Sequence, residues 1–308
     1  MANTDVKVIT KKQAKKEIGV FGRALAFYLL LFLGFQIVTP YIYPYLPSVL
    51  KQYSVTTIEL VLNILLTIFV TAVLFRNVNY ELNLNIKDYL KKPRIDFFQM
   101  LSITSIGIGI YFIATGVTSI FYFINPNNEI VNTFLGNFRT QEAILDNILY
   151  FCLYVIIKPI CDEYIFRGII QRQLGHYGRY FGVLGSAFLY AIVQPNLMRA
   201  IPSFFVGWYM ALVTLRYHSI RPGFVIHVYL HLFIWLLEII PGNYLWVVSI
   251  LIVLVYIIVA FSFFSRRVNT NLVRYGATEW KLWKILLTTP SIVLCILLFI
   301  ANIIYSYL

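Results

Sequence analysis

Residues 55–75 read Val55-Thr-Thr-Ile-Glu-Leu-Val-Leu-Asn-Ile-Leu-Leu-Thr-Ile-Phe-Val-Thr-Ala-Val-Leu-Phe75, a run of 21 residues with one charge, Glu59. A helix rises about 1.5 Å per residue, so about 20 mostly apolar residues cross the hydrocarbon core of a bilayer. Eight more stretches meet this criterion: 24–46, 99–124, 143–163, 180–198, 201–216, 222–240, 244–264 and 285–306. The run at 201–216 is short and is expected to be tilted or partly re-entrant. The whole chain of 308 residues agrees, with 60% apolar, 17% aromatic and only 12% charged residues, where soluble domains carry about 25% charge. A water-soluble globule is excluded. The expected fold is all-α, a polytopic transmembrane helical bundle of about eight to nine spans.

The net charge of +12 is read by position. Lys and Arg mark cytoplasmic loops, and 21 of the 25 basic residues fall in alternate loops on the side of the N-terminus. These include Lys7 to Arg23, Arg76 to Arg94, Arg167 to Arg179, Arg216 with Arg221, and Arg266 to Lys284. The opposite side has Lys51, Arg139 and Arg199, and Lys158 lies within a span. The expected location is the cell membrane, multi-pass, with a cytoplasmic N-terminus and an external C-terminus. The basic residues are read as a topology signal, with no role in binding nucleic acid. The first apolar segment is too long for a signal peptide and no small-residue cleavage site follows, so a retained anchor is expected.

The chain divides into a basic cytoplasmic tail (1–23), N-terminal transmembrane helices (24–142), a core carrying the polar motifs (143–240) and C-terminal transmembrane helices (241–308). Cys152, Cys161 and Cys295 all lie in apolar stretches without a CxxC pair, so they suggest no disulfide framework. Gly178, Gly182 and Ser186 recur every four residues, a pattern that lets a neighbouring backbone approach closely.

Charge at the bilayer centre costs about 2.5 to 3.5 kcal/mol even on insertion scales, so polar groups within spans carry the information. They cluster in Lys158-Pro-Ile-Cys-Asp-Glu-Tyr-Ile-Phe-Arg-Gly168, at Gln194 and Asn196, and at His227 and His231. Residues four apart are helical neighbours, so Glu163 is expected to pair with Arg167, and Lys158 with Asp162 unless Pro159 distorts the turn. Ion pairing that helps charges tolerate burial explains these residues as well as a site does. His227 and His231 project from one helix face, which favours a site.

The segments Asp162-Glu-Tyr-Ile-Phe-Arg-Gly168, Ser186-Ala-Phe-Leu-Tyr-Ala-Ile-Val-Gln194 and His227-Val-Tyr-Leu-His231 resemble the three motifs of the CPBP family. That family comprises CAAX-type prenyl-protein proteases and bacteriocin-processing or self-immunity (Abi) membrane proteins, with motifs Glu-Glu-x-x-x-Arg, Phe-x-x-x-His and His-x-x-x-Asn/Asp. The resemblance runs from about 145 to 235 and includes the Phe205-Val-Gly207 region. It implies an intramembrane endopeptidase in which a first-motif carboxylate and a second-motif His activate water, while third-motif residues steady the oxyanion. Asp162 stands at the water-activating position; Glu163, Arg167 and His227 match; Gln194 replaces the second-motif His and His231 replaces Asn/Asp. Gln194 accepts no proton near neutral pH, so a base worth about 10² to 10⁴ in rate is missing. Tyr190 for Phe is a mild change.

Three functions fit these residues. One is a divergent CPBP-type endopeptidase acting on membrane-associated peptides or proteins, with Asp162, Glu163, Arg167, Gln194, His227 and His231 as site residues and no cofactor. Another is a catalytically inactive protein that holds a membrane-associated peptide or protein partner in the same cavity, as in bacteriocin immunity. The third is a zinc hydrolase built on His227, His231 and a carboxylate, which the resemblance does not require. The five residues Asp162, Glu163, Gln194, His227 and His231 are expected to converge on one cavity toward the cytoplasmic half of the bilayer.

Overall fold

The computed structural model describes residues 10–48, 52–123, 144–239, 254, 258 and 280–307. Among these residues the secondary structure is helical, without strands. The helices are α1 (Lys11–Ile42), α2 (Val55–Glu81), α3 (Phe97–Phe123), α4 (Ile144–Gly175), α5 (Arg179–Ile192), α6 (Leu197–Tyr217), α7 (Arg221–Ile239), α8 (Trp280–Leu287) and α9 (Pro290–Tyr307). Local chemistry sets several starts. Ser54 Oγ accepts from Thr57 N at α2, Asp96 Oδ1 from Gln99 N at α3, and Asn196 Oδ1 from Arg199 N at α6, each satisfying an otherwise unpaired first-turn N–H.

Among the described residues, five helices (α1, α2, α3, α4 and α6) are long and apolar enough to cross a membrane. The α8–α9 pair, bent by 65°, makes a sixth if it is one span. Helices α5 and α7 are apolar but shorter. The expected short sixth span is a correction: it is α6, a continuous helix of 21 residues through Pro202. Asn196 caps its start ahead of the apolar run, and the helix extends to Tyr217. The apolar candidate at 244–264 lies outside the described residues apart from 254 and 258.

Two helices outrun their apolar cores. The first starts at Lys11 rather than 24, because Ala14, Ile18, Phe21 and Leu25 form one buried stripe while Lys11 and Lys12 stay exposed. Helix α4 continues past 163 to Gly175, carrying the buried polar residues Arg167, Gln171 and Gln173 inward.

Helix α6 packs against α3, α5 and α7, and α7 packs against α4. Helix α1 lies on α2 and on the α8–α9 pair. Rings lock these contacts, Phe112 of α3 against Phe233 of α7 at 5.6 Å between centroids and Phe151 of α4 against Trp235 of α7 at 4.8 Å. Close backbone approach is expected at Gly178, Gly182 and Ser186, and it is realised at Gly182. A Cβ there would lie 2.7 Å from the Gln171 carbonyl and 2.8 Å from Gly175 Cα, so α5 lies directly on the end of α4.

Candidate active site

Helix α4 holds the first motif across the junction of an α-helical stretch, Lys158–Glu163, which carries Asp162 and Glu163, and a π-helical segment, Tyr164–Ile170, which carries Arg167; a second π-helical segment, Phe151–Ile157, precedes them. Such segments recur at functional sites. Glu163 and Arg167 are fully buried, and Arg167 Nη1 lies 3.0 Å from Glu163 Oε1. The same guanidinium donates from Nη2 to the Gly207 carbonyl at 2.9 Å and lies over the Tyr190 ring, 4.7 Å from its centroid. One turn on, Gln171 Nε2 donates to the Ala211 carbonyl at 2.8 Å. Two polar side chains spaced by four residues on α4 thus meet two carbonyls spaced by four on α6, which fixes the register of the two helices.

Helix α7 closes the site. His227 Nδ1 lies 3.1 Å from Glu163 Oε1, and its Nε2 lies 3.0 Å from the Tyr190 hydroxyl. His231 stacks beside it, with ring centroids 5.0 Å apart. Glycines make this convergence possible. At Gly207 a Cβ would sit 2.9 Å from Tyr190 Cδ1 and 3.0 Å from Arg167 Nη2, and at Gly223 one would sit 2.5 Å from Glu163 Oε2. Oε2 itself has no hydrogen-bond partner among the described residues. A buried carboxylate oxygen of this kind is a ready acceptor for water or a peptide N–H.

The structure brings Glu163, Arg167 and His227 together, with His231 alongside. It does not bring Gln194 into their hydrogen bonds. Gln194 follows the end of α5, and its Nε2 turns back to the Tyr190 carbonyl at 3.2 Å. Asp162 is buried and makes no hydrogen bond or ion pair among the described residues. The expected Lys158–Asp162 pair therefore does not close. The Lys158 ammonium lies instead beside the rings of Tyr154 and Phe32, at 5.7 and 5.9 Å from their centroids, contacts in which the ring faces attract the cation. Among the described residues no group of three or more His, Cys, Asp or Glu is arranged to hold a metal ion; both ring nitrogens of His227 face protein partners.

Sequence reasoning passed over three contributors: the Tyr190 hydroxyl, Gly223 and Gln171. A tyrosine in an apolar helix reads as core, and a glycine carries no side chain to notice. The spacing of Arg167 and Gln171 was the one available signal.

All of these groups lie on α4 to α7. Residues 144–233 match the family model described as Type II CAAX prenyl endopeptidase Rce1-like. The CPBP resemblance drawn from the three motifs is thus found over this region, and the Rce1-like match covers Asp162, Glu163, Arg167, Tyr190, Gln194, His227 and His231 together. No curated protein and no solved structure matches the chain.

Proposed function

We propose that the protein is a CPBP-type membrane endopeptidase acting on membrane-associated peptides or proteins. The contact between Glu163 and His227 carries this reading: it joins the first and third motifs of the Rce1-like region through a buried carboxylate–imidazole pair at 3.1 Å. Glu163, anchored by Arg167, orients His227, as a third group orients the base in other hydrolytic sites. Asp162, a carboxylate without a hydrogen-bond partner among the described residues, activates water at the position that the resemblance gives it. His231 supplies a donor to the oxyanion, and no metal is required. The chain sits in the cell membrane with its N-terminus in the cytoplasm, on the charge asymmetry of its loops.

A second reading is favoured by the orientation of Gln194, which replaces a proton acceptor by an amide bound to its own helix. On that reading the same groups hold a peptide or protein partner without cleaving it. Reconstituted protein and a membrane-anchored fluorogenic peptide separate the two. Asp162→Asn and His227→Gln keep size and polarity, and for an enzyme each lowers hydrolysis by about 10² to 10⁴. Gln194→His raises it, most clearly with Asp162→Glu. Unchanged peptide binding, with no hydrolysis by the wild type or by the restored double variant, leaves the binding reading standing and the peptidase reading overturned. Reporters fused to the two ends test the topology, since an N-terminal reporter active outside the cell contradicts it.

A further inference from the structure

The peptidase reading leaves the Tyr190 hydroxyl unused, although it makes one of the closest side-chain contacts in the site. His227 is held at both ends: Nδ1 faces Glu163 Oε1 at 3.1 Å and Nε2 faces Tyr190 Oη at 3.0 Å, with all three residues at most 3% exposed. A carboxylate paired with Arg167 only accepts hydrogen bonds, so the proton between Glu163 and His227 sits on Nδ1. A neutral imidazole with Nδ1–H has a bare Nε2, which the tyrosine O–H then satisfies. The tyrosine ring is itself fixed, with Arg167 over its face and Phe166 edge-on at 5.1 Å. The glycine at 207 keeps this arrangement open, since a Cβ there would lie 2.9 Å from Tyr190 Cδ1.

We propose that Tyr190 is a positioning residue that sets the proton position on His227. Its hydroxyl, donated to Nε2, fixes the imidazole as the Nδ1–H tautomer and leaves Nε2 an acceptor, with Tyr190 one helical turn before Gln194. Because the amide at 194 turns back to its own helix, the hydroxyl at 190 is the side-chain group of α5 that hydrogen-bonds His227. This inference rests on the peptidase reading for its consequence in catalysis, but not for the tautomer itself.

The test uses full-length protein with ¹⁵N-labelled histidine in phosphatidylcholine–phosphatidylglycerol nanodiscs. The chain has only four histidines, and His227→Gln assigns the resonance. Tyr190→Phe deletes the hydroxyl while keeping the ring under Arg167, so it leaves the packing in place; its thermal unfolding is compared with the wild type to confirm this. The wild type is expected to show His227 as a single Nδ1–H tautomer with a hydrogen-bonded Nε2, and Tyr190→Phe is expected to shift the Nε2 resonance to its unbonded position. Hydrolysis of the membrane-anchored fluorogenic peptide should fall about 10- to 100-fold, the effect of leaving a buried acceptor on the positioned histidine unsatisfied, carried by kcat with KM unchanged. An Nε2–H or doubly protonated His227 in the wild type overturns the proposal, as does an unchanged Nε2 resonance in Tyr190→Phe. A shifted resonance without hydrolysis by any variant upholds the positioning role and overturns only the peptidase reading.

Discussion

Two pairs of opposite charge follow one another on α4, offset by five residues, Lys158 with Asp162 and Glu163 with Arg167. Sequence spacing treats them alike. The second closes at 3.0 Å and the first does not. The difference lies in what surrounds each pair. Glu163 and Arg167 face α6 and α7 at glycines, where the Gly207 carbonyl accepts from Arg167, the His227 imidazole meets Glu163 Oε1 and the Tyr190 ring lies against the guanidinium. A buried pair is retained only when such further partners offset its desolvation. Lys158 faces the aromatic rings of Phe32 and Tyr154, which accommodate the ammonium without drawing it toward Asp162. A sequence rule about neighbours on a helix therefore states an opportunity, and the opposing helices decide whether it is taken.

The sharpest way to break this contrast is Glu163→Ala, which strands Arg167 as a buried cation. We expect a loss of about 3 to 5 kcal/mol, read as a lower unfolding temperature or failure to accumulate in the membrane. Glu163→Gln keeps a hydrogen-bonding group beside both Arg167 and His227 and is expected to lose less. A smaller effect is expected from the glycines. Gly207→Ala and Gly223→Ala push Tyr190, Arg167 or Glu163 aside and should each cost about 1 to 3 kcal/mol by overpacking, measured by the same unfolding transition. Should both be neutral, close approach of α6 and α7 is not what closes the pair. At the unpaired turn, Asp162→Asn should change stability by less than about 1 kcal/mol, since it breaks no hydrogen bond or ion pair. A loss as large as that of Glu163→Ala would show that Asp162 is held as tightly as its neighbour.

The spans were legible where lipid-facing chemistry decides: α3 follows its apolar run closely, and α2 starts with its run and continues past it to Glu81. They were less legible where a helix turns a mixed face to protein. The early start of α1 is hidden because Lys11, Lys12, Lys15 and Lys16 alternate with the buried Ala14 and Ile18, and an average over the window cancels the stripe. The extension of α4 is hidden because Arg167, Gln171 and Gln173 look like a loop until α6 supplies carbonyls for two of them. Within the site, Glu163, Arg167 and His227 announced themselves by spacing, whereas Gly223 has no side chain to read and the role of Tyr190 depends on a nitrogen from a distant helix.

The smallest effect is expected outside the membrane, at the end of α4. Partial burial, with the neighbouring Arg172 guanidinium, lowers the pKa of His176 below its usual value. A histidine whose folded pKa is depressed takes up its proton more readily when unfolded, so the folded state loses stability as pH falls through about 6.5. Unfolding temperatures across pH 5 to 8 should show a slight acid-side decline that His176→Gln removes. Nearby, Glu17 of α1 accepts from Gln173 Nε2 at 2.5 Å and from the Tyr177 hydroxyl, a tie between α1 and α4 that does not depend on this imidazole.

Helix α5 has only 14 residues, about 21 Å of rise against a hydrocarbon core of about 30 Å. Were Arg179 at the interface, the turn that follows, Gln194 to Asn196, would sit at a depth where lipid offers its backbone no hydrogen bonds. Asn302 of α9 meets the need by donating to the Pro195 carbonyl at 2.7 Å. Membrane thickness thereby becomes a variable of the site. In bilayers of shorter acyl chains the mismatch relaxes, and in thick, sterol-stiffened ones it falls on the helix that carries Tyr190 and leads into Gln194.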